Sequence, residues 1–96
     1  MIENLKEAFD KFEDDYLRFD RVKNKLSLRP DIHAFLLLDK LAPESMDMVC
    51  AAEHDEIYLE VDMETLAMVA TEGQICELVR CGIRYDTNID SLSMFV

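Results

Sequence analysis

Met48-Val49-Cys50-Ala51-Ala52-Glu53-His54-Asp55-Glu56-Ile57-Tyr58-Leu59-Glu60-Val61 is the stretch that decides the fold class of this chain. Ile57, Leu59 and Val61 alternate with Tyr58 and Glu60, a period of two that sets one face of a strand on a core. His54-Asp55 interrupts the apolar residues with two polar ones, the length of a tight hairpin loop. The stretch therefore reads as a β-hairpin. Its first strand is the weaker half, because Ser45 also suits the cap of a short helix through the Met and Ala residues.

The pattern changes on the C-terminal side of the hairpin. Asp62 stands where a helix cap belongs, ahead of Leu66, Val69 and Ala70. Thr71-Glu72-Gly73-Gln74 has a capping-box pattern, with Thr71 at the N-cap and Gln74 three residues on. The helix it starts turns Ile75, Leu78 and Val79 inward and stops at Gly82. Ile83-Arg84-Tyr85 and Ser91-Leu92-Ser93-Met94-Phe95-Val96 then read as two strands around a turn at Thr87-Asn88.

On the N-terminal side, Pro30 fits a first helical position and Pro43 a stop, which predicts a helix from Pro30 to Leu41. Most of its faces are apolar, so burial is expected. Further back, Ile2, Leu5, Phe9, Phe12, Tyr16, Phe19 and Leu26 follow heptad-like 3,4 spacing, broken only at Lys23. That spacing predicts one long helix over residues 2–26, spanning about 37 Å. A domain of this length has a radius of gyration near 13 Å, so such a helix would overhang it. Leu5, Phe9, Phe12, Tyr16 and Phe19 would then form a self-association stripe, giving a homodimer. The plainer reading packs the same stripe on the chain's own sheet.

The element order α, α, β, β, α, α, β, β indicates an α+β domain with a small antiparallel sheet of about four strands. A single domain is expected over 1–96, with 1–26 as a protruding association helix and 30–96 as the compact body. The longest apolar run, Ala34 to Leu38, has five residues. A bilayer span needs about 20, so no membrane partner is expected. No basic segment followed by an apolar one is visible near the N-terminus, and the cysteines are an odd three (Cys50, Cys76, Cys81). Both point to reduced thiols and a cytoplasmic location.

The net charge is −11, from 21 acids and 10 bases, and it is unevenly placed. Residues 1–40 hold nine acids against eight bases, and residues 80–96 hold two of each. Residues 41–79 hold ten acids and no Lys or Arg. A basic nucleic-acid binder is excluded, because counterion release requires Lys and Arg at the phosphates. Disorder is disfavoured by the 50% hydrophobic content and by only four Gly and Pro residues. An acidic surface aids solubility whatever else it does. Its functional reading is a face formed by Glu53, Asp55, Glu56, Glu60 and Glu64 that meets a basic partner or imitates the charge array of nucleic acid.

Glu53, His54, Asp55 and Glu56, with Asp62 nearby, form the densest set of potential metal ligands and suggest a small metal-dependent hydrolase as an alternative. Consecutive strand residues point to opposite faces, however, and around a turn they fan into water. No Lys follows Lys40 to complete the usual nuclease arrangement. Cys76 and Cys81 fall on different faces of one helix and read as core thiols. His33, among apolar neighbours, reads as structural. Gly73 and Gly82 alone make no phosphate-cradling loop. No catalytic residue, metal or cofactor is expected. A structural oligomer subunit is the third reading.

Three phrases carry a resemblance. They are Arg29-Pro30-Asp31-Ile32-His33-Ala34-Phe35-Leu36-Leu37-Leu38-Asp39-Lys40-Leu41, Ala52-Glu53-His54-Asp55-Glu56-Ile57, and Asp90-Ser91-Leu92-Ser93-Met94-Phe95-Val96. From Leu28 onward the chain resembles small uncharacterised proteins encoded by bacteriophages and prophages. The resemblance implies no activity and no site. It implies an accessory or host-directed role exercised by binding.

Overall fold

The computed structural model describes residues 1–43 and 47–95. The elements are α1 (Leu5–Lys11), 3-10 turns at Glu13–Asp15 and Phe19–Arg21, α2 (Pro30–Leu41), β1 (Val49–Glu53), β2 (Glu56–Leu59), α3 (Met63–Val69), α4 (Glu72–Arg80), β3 (Arg84–Asp86) and β4 (Ser91–Phe95). The α+β class holds, with four α-helices and one four-stranded antiparallel sheet among the described residues. The helix reading through Ser45 falls on residues 44–46 and lies outside the described residues. From Val49 onward the segment is strand.

His54 and Asp55 turn the chain back so that Glu53 faces Glu56, with His54 in the left-handed region at φ 57°. The strand order is β1-β2-β4-β3. Ile57 pairs with Met94, Leu59 with Leu92, and Leu92 with Tyr85. These five side chains share the face that meets the helices. Leu59 and Leu92 are completely buried there, with Leu38 of α2, Leu66 of α3, and Ile75 and Leu78 of α4.

The helix ends match their sequence signals. An Asp62 side-chain oxygen accepts from the Thr65 N–H at 3.2 Å. Thr71 and Gln74 form the reciprocal capping box, at 3.2 and 2.9 Å. Gly82 follows α4 at φ +97°, and a Cβ there would stand 2.9 Å from Leu17 Cδ2. Helix α2 is less buried than expected. His33, Ala34, Leu37, Leu38 and Leu41 face the core, but Ile32 and Leu36 are 37% and 46% exposed.

The long helix over 2–26 does not form. Helix α1 ends at Lys11, and the body measures 29 × 29 × 24 Å, with no 37 Å rod overhanging it. Glu13-Asp14-Asp15 follows, and aspartate competes with the helix for its own backbone. Tyr16 is extended at ψ 128°, and Leu17 takes a left-handed φ of 62°. The chain thereby reverses onto α4, where the Leu17 N–H donates to the Val79 carbonyl at 3.2 Å. An Asp15 oxygen accepts from Arg80 Nε at 3.1 Å and from Arg21 at 3.0 Å. Lys11 reaches Glu72 at 2.7 Å. Leu5 and Phe9 are buried, and Phe12, Tyr16 and Phe19 pack against the same core. A straight helix would hold that stripe in water, and burial against the sheet and α4 outweighs the helical hydrogen bonds given up.

The hydrogen bonds from Arg21 and then Arg80 hold the Asp15 carboxyl below its ordinary value. A carboxyl lowered on folding adds stability that is complete above its unfolded value, about 4, and is lost as pH falls through the folded value. Asp15→Asn should therefore lower the urea midpoint most near pH 7, and the deficit should close toward about pH 3. A deficit unchanged across that range would show that the Asp15 charge does not clamp the segment.

Candidate functional site

Two neighbouring regions carry the exposed chemistry of the β1–β2 side. The first is the sheet face opposite the helices. Cross-strand pairing sets Ala51, Tyr58, Ser93 and Arg84 in one row and Glu53, Glu56 and Phe95 in the next. Arg84 lies 4.5 Å over the Phe95 ring and donates to Glu56 Oε1 at 3.0 Å. The other Glu56 oxygen accepts from the Tyr58 hydroxyl at 3.5 Å. The Tyr58 phenol is pushed up first by burial and then by the charges of Glu56, Glu53 and Asp86. Ser93, between Tyr58 and Arg84, is completely buried, and its hydroxyl has no hydrogen-bond partner among the described residues.

The second region lies at the other end of β2. Glu60, whose N–H donates to the Met48 carbonyl at 2.7 Å, joins Asp47 and Asp39 around a groove between α2 and the start of β1. Ile32, Phe35, Leu36, Met48 and Val49 form the apolar part of its lining. The expected acidic face is thus divided. Glu53 and Glu56 stand at the hairpin end with Asp55 at its tip. Glu60, about 13 Å further along the strand, belongs to the groove. Glu64 is exposed on the first turn of α3. Asp39 joins the groove group from outside the 41–79 stretch.

No family model matches this chain, and neither does any curated protein or solved structure.

The expected metal-ligand set does not converge. His54 is 87% exposed at the turn, and its Nε2 stands 4.0 Å from Glu53 Oε1. Asp55 points from the same turn, and Asp62 is committed to capping α3. Among the described residues no three His, Cys, Asp or Glu side chains are placed to hold a metal ion. Cys76 and Cys81 are buried, and the exposed Cys50 donates to the Tyr58 carbonyl at 3.3 Å. Buried His33 accepts the Leu26 N–H on Nδ1 at 3.0 Å, so Nε2 carries the proton it shows Glu77 at 3.3 Å. Both ring nitrogens are occupied.

A separate pocket of about 360 Å³ opens where α1 and the first 3-10 turn meet the end of the sheet. Phe9, Tyr16, Tyr85 and Phe95 line it, with Asp10 and Glu13 among the polar residues. The Tyr85 hydroxyl donates to Asp90, which is the first cause of its raised value. Among the described residues no helix is long and apolar enough to cross a membrane.

Proposed function

We propose that this protein is a non-enzymatic binding module that engages a basic protein through the acidic side formed by β1, β2 and the start of α3. One observation carries the reading. Of the ten acids in 41–79, Glu56, Glu72 and Glu77 lie near Arg84, Lys11 and His33, and Glu53 near only the exposed His54. Asp47, Asp55, Glu60, Asp62 and Glu64 have no Lys or Arg within ion-pair distance among the described residues. Charge left uncompensated on a small body produces a field that draws in an oppositely charged partner and weakens with salt. A phage accessory protein acting on a basic host protein fits this reading. So does a protein that occupies a nucleic-acid-binding groove in place of the nucleic acid.

The test is capture from a bacterial lysate on the immobilised protein, graded in salt and repeated with Glu53→Lys/Asp55→Lys/Glu60→Lys. Captured protein should be basic and should fall by about tenfold or more between about 50 and 300 mM salt. The triple variant should lose it at every salt concentration. Elution of the captured protein by duplex DNA marks the groove-occupying version. Capture indifferent to both salt and charge reversal overturns the proposal. A defined oligomer by light scattering with no captured partner would instead favour a structural subunit.

A further inference from the structure

The β1 edge is unusual for a solvent-facing strand. It is the first strand of the β1-β2-β4-β3 order, so only β2 pairs with it among the described residues. All five of its residues are exposed. In an antiparallel ladder every second residue turns its N–H and C=O away from its partner, so this edge offers unpaired backbone groups. Natural proteins guard such edges with Lys, Pro or a covering element. The strand, Val49–Glu53, contains neither Lys nor Pro, and two of its five residues are alanines. Its guards are a register shift between Val49 and Ala51 and the charge of Glu53.

The groove beside α2 opens next to that edge and has a volume of about 660 Å³. Ile32, Leu36 and Val49 along it are 37%, 46% and 42% exposed. An added strand would place alternate side chains toward the helix layer, over this apolar lining. Its other contacts would be with acids: Asp39, Asp47 and Glu60 around the groove, and Glu53 at the far end of β1.

We propose that the outer edge of β1 and the groove between β1 and α2 dock an extended peptide of alternating apolar and basic residues as a fifth strand. The proposal rests on the acidic-binding reading above and specifies how the partner sits. Charge selects this occupant over a second copy of the chain. Two β1 edges brought together would each contribute Asp47, Glu53, Asp55 and Glu60, on molecules of net charge −11.

The probe is a labelled eight-residue peptide of alternating Val and Lys, followed by fluorescence anisotropy with the intact protein. It should bind, and a Val/Glu peptide of the same length should bind at least about tenfold more weakly. N-methylation of one alternate set of peptide amides should cost at least about tenfold, and methylation of the other set should cost little, because a strand pairs through one edge. Saturating Val/Lys peptide should slow alkylation of Cys50 about tenfold or more by covering the edge. Leu36→Ser, at an exposed position that leaves the core intact, should weaken binding by removing apolar lining without changing the charge. Binding that ignores both methylation patterns and leaves Cys50 reactive overturns strand docking while the acidic-binding reading stands. Polylysine bound without the peptide has the same meaning. If neither polylysine nor peptide binds, both fail. Cys50 protected by raising the protein concentration alone would assign the edge to a second copy and overturn the peptide.

Discussion

Phe9→Ala should destabilise the fold by about 3–5 kcal/mol, a large share of the roughly 5–15 kcal/mol expected for a domain of this size. Phe9 is 5% exposed, lies in the main core cluster and sets its ring 6.2 Å from that of Tyr85. Truncation removes most of a buried ring at the junction of α1 and β3. A helix protruding into solvent would give the opposite result, because loss of Phe9 would then weaken self-association and leave the body untouched. Urea unfolding at several protein concentrations separates the two. The expected midpoint falls by the same amount at every concentration. A midpoint equal to wild type in dilute solution would return Phe9 to an intermolecular stripe.

Of the three thiols, one should react readily with a maleimide in the folded protein and all three after unfolding. Cys50 is exposed on the edge strand, whereas Cys76 and Cys81 are 7% and 2% exposed on and just after α4. Burial pushes the Cys76 thiol up. Burial, then the Glu77 charge, pushes the Cys81 thiol up to about 12. A buried thiol reacts through opening of the structure, and an opening cost of about 5 kcal/mol slows it more than about a thousandfold. Mass spectrometry of the native reaction should show a single adduct on the peptide containing Cys50. Three adducts forming at one rate would show that α4 is not packed as described.

The parts of the fold that were legible in the sequence are those governed by nearby residues. Pro30 and Pro43 bracket α2, Thr71 and Gln74 start α4, and His54-Asp55 closes a hairpin whose second strand alternates in sequence. Each signal acts within a few residues. The N-terminal third was misread because apolar spacing alone cannot distinguish a helical stripe from a chain that turns twice and buries the same side chains. The contacts that choose between them lie far apart in sequence: Leu17 to Val79, Asp15 to Arg80, Lys11 to Glu72. The candidate site shows the same division. Glu53, Asp55 and Glu56 are grouped by one hairpin and were visible as a cluster. Arg84 reaches Glu56 only because β4 lies between β2 and β3, and Asp39 joins Glu60 around the groove only because α2 lies beside the start of β1. Strand order is not written in local pattern, so neither neighbour could be named in advance.

The position of β4 also orders events during synthesis. It is the last strand in the sequence, yet it occupies the middle of the sheet, pairing with β2 on one side and β3 on the other. While a ribosome makes the intervening residues, the β1–β2 hairpin waits with both edges open and the apolar faces of Ile57 and Leu59 uncovered. A two-stranded ribbon in that condition is the species most prone to pair with its neighbours. Five acids, Asp47, Glu53, Asp55, Glu56 and Glu60, accompany it, and no Lys or Arg lies between residues 41 and 79. Nascent copies therefore repel one another until Arg84 emerges to meet Glu56 and Leu92 arrives beside Leu59. The acids around the hairpin thus oppose its pairing with other copies before the sheet is complete.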